Sequence, residues 1–368
     1  MTNQIPLVDL KAQHLEIADE VARGMAKVIE DTAFILGPQV KEFEEAFARF
    51  CGVPHCVGVA NGTDAIELSV RALGLGLGDE VIVPANTFIA SALGVVRAGA
   101  RPVIVDCDEY QLIDPSKIEA AIGPRTRAVL PVHLFGQMAD MEKVQEIADA
   151  RGLAVIEDGA QSQGAKRSGR PSGAFGVAAA TSFYPGKNIG AYGDGGAVVT
   201  RSEEIASKLR KLRNWGSEKK YHHPEIGFNS RLDTLQAVVL SAKLKRLDAW
   251  NEARRQAAVR YDRLLAGIGA IELPKTLPGN EHVWHLYVVR VPNRDEVLAK
   301  LNAAGIGAGI HYPVPLHLHG ALSDLGYREG DFPEAERAAN EILSLPLYPQ
   351  ITGEQQERVA EELRKAVG

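Results

Sequence analysis

Cysteine is scarce: the 368-residue chain has three, Cys51, Cys56 and Cys107, with no C-x-x-C pair among them. That excludes a disulfide framework and fits a reducing cytoplasm. No apolar run approaches the ~18 residues that a membrane-crossing helix needs. The opening stretch, MTNQIPLVDLKAQ, has no basic segment leading into an apolar one, so no secretory signal is expected. Positive charge is not in excess: the net charge of −6 argues against a general nucleic-acid binder. The basic run Lys208, Arg210, Lys211, Arg213, Lys219 and Lys220 is broken by Trp215 and Glu218, and reads mostly as a solvated helix end and loop. Metal-ligand spacing is missing too. His311, His317 and His319 stand in a proline-broken segment, and Cys51, His55 and Cys56 match no zinc pattern. GLGLG at 74–78 lacks the third glycine of a dinucleotide fingerprint and precedes a strand instead of following one.

What remains is an ordinary soluble composition, long enough for one large domain and a smaller one. After amphipathic helical patterns over 9–30 and 39–50, the chain alternates. Strands are expected at 56–60, 80–84, 102–106, 128–135 and 153–158, and helices at 63–73, 89–98, 115–122 and 141–150. This alternation predicts an α/β fold, a mostly parallel mixed sheet with helices on both faces. A long helical pattern over 232–266 leads to a smaller α+β part with a strand at 284–291, a helix at 294–304, a short strand at 306–310 and two final helices. We divide the chain into a large domain, 1–250, and a small C-terminal domain, 251–368.

In such sheets ligands sit at the carboxyl ends of the strands, and four groups collect there. Between strand and helix, Asn61-Gly62-Thr63 puts backbone amides and a hydroxyl at a helix N-terminus, which suits a phosphate. Asp158 ends an apolar strand and needs a cationic partner. A protonated pyridine nitrogen would serve: at ~4 Å and an effective dielectric of ~20 the attraction is about 4 kcal/mol. Phe88 is placed to lie against a planar ring. The fourth group is Lys187, in TSFYPGKNIGAYGDGGAVVT, between two apolar strands with glycines crowding behind it. A buried lysine loses its proton readily, which suits it to Schiff-base and general-base work. Ser182, five residues earlier, is a further phosphate donor. Each group alone has an ordinary explanation, as a plain helix cap, a capping Asp, a core Phe or a solvated loop lysine. Together they are the parts that hold pyridoxal phosphate.

These motifs identify a resemblance to the DegT/StrS-type, fold-type I aminotransferases that act on nucleotide-linked keto sugars. The likeness covers essentially the whole chain, through IPLVDL, NGTDAI, VIVPANTFIAS, VIEDGAQS, SFYPGKNIGAYGDGG, GFNSRLDTLQA and HYPVPLH. It implies that Lys187 links to pyridoxal 5'-phosphate as an imine, that Asp158 pairs with the ring nitrogen and that Gln161 lies near the ring hydroxyl. It implies Gly62, Thr63 and Ser182 on the phosphate, Phe88 over the ring, and L-glutamate as amino donor. A homodimer with shared active sites is implied as well, Asn229 reaching the neighbouring subunit's phosphate. Lysine at 187, where related dehydratases have histidine, implies transamination. SFYPGKN, GAYGDGG and NWGSEKKY are more similar to enzymes aminating C-3 of dTDP-3-keto-6-deoxyhexoses than to C-4 enzymes, and Tyr184, His311 and Tyr312 would contact the hexose. C-4 or UDP-linked keto sugars are the alternative substrates, and a cofactor-binding regulator without turnover is the alternative class.

Overall fold

The structure is a computed structural model that describes residues 4–368. The first three residues of the stretch read for a secretory signal lie outside it. Its centre is a sheet of seven strands: β1 (His55–Val59), β2 (Glu80–Pro84), β3 (Arg101–Val105), β4 (Thr126–Val129), β5 (Ala154–Asp158), β8 (Ala178–Ser182) and β9 (Gly196–Thr200). Two short strands, β6 (Lys166–Arg167) and β7 (Arg170–Pro171), intervene in the chain, and β6 pairs with both β7 and β10 (Asn280–Glu281). The sheet order is β1-β9-β8-β5-β4-β2-β3. Strands β8, β5, β4, β2 and β3 are parallel neighbours, whereas β9 runs antiparallel between β1 and β8. The expected mostly parallel mixed sheet is therefore present.

Residue alternation within the strands explains why both faces are covered. Val81 and Val83 of β2 face one way, into a core with helices α4 (Gly62–Ala72), α5 (Ile89–Arg97) and α8 (Glu203–Leu212). Ile82, between them, joins Val105, Val129 and Val155 on the other face, beneath α6 (Pro115–Ala121) and α7 (Met141–Arg151). Farther along that face, α3 (Pro38–Phe50) and α9 (Thr234–Leu244) cover β8 and β9 through Phe43, Phe47, Leu240 and Val199.

The C-terminal part has its own core. Strands β11 (Tyr287–Arg290) and β12 (Ile342–Leu345) pair antiparallel, and α10 (Leu247–Leu265), α11 (Arg294–Ala303) and α13 (Gly353–Val367) pack around them, with α12 (Pro333–Glu341) leading into β12. Ile5 belongs to this core, and its backbone bonds Gly305 and Gly307. The start of the chain thus returns to the C-terminal part.

Several expected elements differ. The pattern over 9–30 is two helices, α1 (Leu10–Leu15) and α2 (Ala18–Glu30), parted at Ile17, which caps α2 with a non-helical backbone. The strand expected over 128–135 ends at Val129, because Pro131 has no N–H for a ladder. The segment 306–310 makes only isolated bridges from Ile306 to Ile5 and from Gly309 to Ser344, its glycines having no side chains to pack. The long pattern over 232–266 is broken at Lys245 and Arg246 into α9 and α10.

Candidate functional site

Because β1, β2, β5 and β8 point the same way, their carboxyl ends share one edge, and the turns leaving them converge. They line a cleft of about 690 Å³ together with residues of the C-terminal part. Asn61, Gly62, Thr63, Phe88, Asp158, Gln161, Ser182, Tyr184, Lys187, His311 and Tyr312 all border it. Ten of these eleven are the predicted site residues; Asn61 is the cap beside them. Asn229 is the predicted residue that does not come to this cleft: it is exposed, in a bridge to Asn214.

The phosphate end is built by α4. Asn61 Oδ1 accepts from the Asp64 N–H at 2.8 Å, which leaves the amides of Gly62 and Thr63 without an intrahelical acceptor. A Cβ on Gly62 would stand 2.6 Å from Ser182 Cβ, so glycine is what lets strand and helix close to a cup. Ser182 Oγ accepts from the Tyr184 N–H at 3.2 Å, and its own hydrogen is left to donate.

Asp158, on the same cleft, is 4% exposed. Its Oδ2 accepts from Ser91 Oγ at 2.7 Å and its Oδ1 from the Ala160 N–H at 3.1 Å. Ser91 Oγ is in turn 2.9 Å from Thr87 Oγ1, one turn earlier at the head of α5. A carboxylate so held is aimed, with capacity for one more cationic hydrogen-bond donor. Its neighbour Glu157 points to the other sheet face, where it accepts from His133 and the amides of Gly173, Phe175 and Gly176. Burial raises the Glu157 carboxyl, but these donors outweigh it and hold the group below its ordinary value.

Gln161 is committed at both ends. Its Oε1 accepts from the Phe135 N–H at 2.6 Å and its Nε2 donates to the Tyr312 hydroxyl at 3.0 Å, which leaves one Nε2 hydrogen for a ligand. Phe88, at the cap of α5, is 51% exposed and tilts against Tyr312 with 5.1 Å between ring centroids. It is a cleft wall, not a core residue. Burial pushes the Tyr312 hydroxyl up and brings His311 down to about 4, with Lys187 adding to the second effect. His311 Nδ1 also lies 2.8 Å from Ser344 Oγ.

Lys187 sits in the connection from β8 to the antiparallel β9, so the chain reversal carries it over the sheet edge. Burial brings its amine down to about 8, against the opposing charge of Asp158. An amine so placed exchanges protons near neutral pH. These groups fit pyridoxal phosphate: a cup for the phosphate, an aimed carboxylate for the ring nitrogen, an amide hydrogen for the ring hydroxyl, and an amine on the same cleft.

Sequence reasoning passed over Thr87, Ser91, Arg97, Asp194 and His285, all of which border the cleft. The i, i+4 spacing of Thr87 and Ser91 beside Phe88 was the one available signal. Arg97 comes from the far end of α5 and pairs with Asp64 at 3.1 Å and Glu67 at 2.9 Å. His285 arrives from β11's approach, about a hundred residues along the chain from Lys187.

Comparison with known proteins agrees with this geometry. The chain is 48% identical over 365 residues to the dTDP-3-amino-3,4,6-trideoxy-alpha-D-glucose transaminase of Streptomyces venezuelae, covering 99% of this chain and 96% of that one. It is 47% identical over 362 residues to a protein of Geobacillus stearothermophilus named pleiotropic regulatory protein, covering 98% and 97%. Its fold matches the crystal structure of S. venezuelae DesV in complex with a ketimine intermediate at a TM-score of 0.96, with 98% of each chain covered and 48% identity. It matches ntda from Bacillus subtilis, solved with bound cofactor PMP, at a TM-score of 0.89, with 96% of this chain and 82% of that one covered and 35% identity. The sequence profile of the DegT/DnrJ/EryC1/StrS aminotransferases spans residues 15–364. The chain belongs to the DegT/DnrJ/EryC1/StrS aminotransferase family, and its cofactor is pyridoxal phosphate.

Proposed function

We propose that this aminotransferase moves the amino group of L-glutamate to a nucleotide-linked keto sugar, at C-3 of a dTDP-3-keto-6-deoxyhexose. The observation that carries the reading is Lys187, an amine brought down to about 8 in the cleft that it shares with the Asp158 carboxylate and the α4 phosphate cup. The transaminase name of the S. venezuelae relative supports the sugar.

Bound pyridoxal phosphate supplies a carbon that takes up and gives back the amino group, and a ring that accepts the electron pair left behind. The chain's residues do the rest. Gly62 and Thr63 amides and the Ser182 hydroxyl bind the phosphate, and Phe88 flanks the ring. Asp158, aimed by Ser91 and the Ala160 amide, holds a proton on the ring nitrogen. Gln161 directs its free Nε2 hydrogen to the ring hydroxyl. Lys187 Nζ, as a neutral amine, removes the α-proton of the amino donor and, as an ammonium, delivers a proton. Tyr184, His311 and Tyr312 border the remaining space and contact the hexose.

A homodimer with shared sites is supported by exposed apolar side chains at Phe34, Ile35, Leu36 and Ile226, and by Asn229, exposed away from its own cleft. The separate C-terminal core supports division into a cofactor-binding domain, 1–250, and a small domain, 251–368. Three free, buried cysteines support a reducing compartment, the cytoplasm.

The name of the Geobacillus relative favours a second reading, a regulator that binds cofactor without turnover. The assay that separates them offers glutamate with a panel of dTDP-, UDP- and GDP-keto sugars and locates any new amine by NMR. Amination at C-3 of the dTDP sugar is expected, and Lys187→Ala should abolish it. An intact protein that aminates none of the panel would favour the regulator, and full activity in Lys187→Ala would end the assignment of Lys187.

A further inference from the structure

His285 is 8% exposed and lines the cleft with Lys187 and Asp158, yet the reading above leaves it idle. A run of buried amides determines which ring nitrogen carries hydrogen. Asn251 Nδ2 donates to the Gln163 carbonyl at 2.9 Å, so its Oδ1 is an acceptor. Asn188 Nδ2 donates to that Oδ1 at 2.9 Å and to the Val283 carbonyl at 3.1 Å. Both hydrogens of Asn188 are then committed, and its Oδ1 can only accept. That Oδ1 lies 3.2 Å from His285 Nδ1, which must therefore carry the hydrogen and donate it. Nε2 is left as a bare acceptor, bonded to no group among the described residues. Burial, with Lys187, Arg254 and His311 close by, keeps the ring neutral by pushing its pKa well below the ordinary value.

An acceptor on the cleft wall that loses water to a ligand needs a donor in its place, and few occupants of this cleft have one to give. The carboxylates of glutamate and the cofactor phosphate are acceptors. The ring nitrogen's hydrogen goes to Asp158, the ring hydroxyl lies at Gln161, and the amine of glutamate is the reacting atom. Lys187 has donors, but no hydrogen bond joins it to His285. A keto sugar brings hydroxyl groups. Resting on the keto-sugar reading above, we infer that His285 is a specificity-determining residue whose Nε2 accepts a hydrogen bond from a hydroxyl of the bound keto sugar. The cleft then favours sugars with a hydroxyl at that place over their deoxy counterparts, which leave the acceptor unpaired.

The two stages of the reaction separate this role from others, because only the second involves a sugar. Single-turnover absorbance gives the rate with glutamate and the rate with keto sugar, and calorimetry gives the affinity for the aminated nucleotide sugar. His285→Phe keeps a planar ring and deletes the acceptor. It should leave the glutamate stage within about twofold, and lower kcat/KM for the keto sugar and product affinity about 10–100-fold. His285→Gln, which can present a carbonyl oxygen at the same reach, should restore part of the loss. Equal losses in both stages, or loss of cofactor binding, would mean that His285 serves Lys187 or the fold and would overturn the inference. Unchanged sugar kinetics in His285→Phe would overturn it too. Failure of the unaltered protein to aminate any keto sugar is a different result, and would defeat the keto-sugar reading itself.

Discussion

Replacing Asp158 with Asn should move two properties in opposite directions. Lys187 titrates at about 8 because burial lowers it further than Asp158 raises it. At pH 7 a group of pKa ~8 is neutral about one part in ten, against about one in 2,500 for an ordinary lysine near 10.4. Removing the carboxylate's charge removes the attraction that favours the ammonium. At an effective dielectric of ~20, unit charges roughly 5–10 Å apart interact by about 1.7–3.3 kcal/mol. The midpoint should therefore fall by about 1–2 pH units, since each unit is about 1.4 kcal/mol. Asn retains an oxygen for the Ala160 N–H, and its NH₂ can donate to Ser91 Oγ, whose own hydrogen then turns to Thr87 Oγ1, so the site should keep its shape. The neutral fraction of Lys187 rises, and turnover falls. The ring nitrogen loses the partner that keeps it protonated, and the rate should drop by orders of magnitude even though more of the lysine is in its reactive form. The assay is a 13Cε-lysine NMR titration of the cofactor-free protein, with Lys187→Ala identifying the resonance, run beside steady-state transamination. A midpoint that rises in Asp158→Asn, or stays in place, would refute the electrostatic reasoning. Unchanged turnover would refute the role of the carboxylate.

Ser91→Ala deletes the hydroxyl that aims Asp158 and leaves Thr87 Oγ1 without its neighbour. A hydrogen bond to a charged group contributes about 1.5–3 kcal/mol, so turnover should fall about tenfold or more, and unaltered kcat would remove Ser91 from the site. Gly62→Ala forces a methyl to 2.6 Å from Ser182 Cβ. The resulting overpacking costs about 1–3 kcal/mol and should weaken cofactor binding by tenfold or more; an absorbance titration matching the parent would show that the cup tolerates the methyl. Glu157→Gln converts a fully buried carboxylate, bonded to His133 and three amides, into a group whose NH₂ faces donors. Breaking a buried pair typically costs about 3–5 kcal/mol, which should appear as a lower melting temperature with the cleft chemistry retained. Because the folded Glu157 carboxyl lies below its ordinary 4.5, its stabilisation is full above that value and is lost as pH falls through the lower folded one. Acid unfolding of the parent should steepen there and the Gln variant should lack that component, so identical acid profiles would count against it.

Much of the molecule is decided locally, and local decisions are legible in a sequence. Strands β2 and β5 and helices α4 to α7 lie within a residue or two of expectation, because apolar periodicity and caps such as Asn61, Asp114 and Asp140 act over a few residues. Strand-end geometry and family motifs likewise led to Gly62, Thr63, Asp158, Gln161, Ser182 and Lys187. Where periodicity was indifferent to backbone chemistry, it overran: Pro131 ended β4, and Ile17 divided α1 from α2. Tertiary structure decided what comes from afar. Only the insertion of β9 antiparallel between β1 and β8 reverses the chain over the sheet edge and lays Lys187 above the cleft. Only packing brings His285 to the same cleft through Asn188 and Asn251, or returns Ile5 to the C-terminal core. Such contacts join residues separated by tens to hundreds of positions, and a hydrogen bond between them leaves no periodic trace in the chain that makes it.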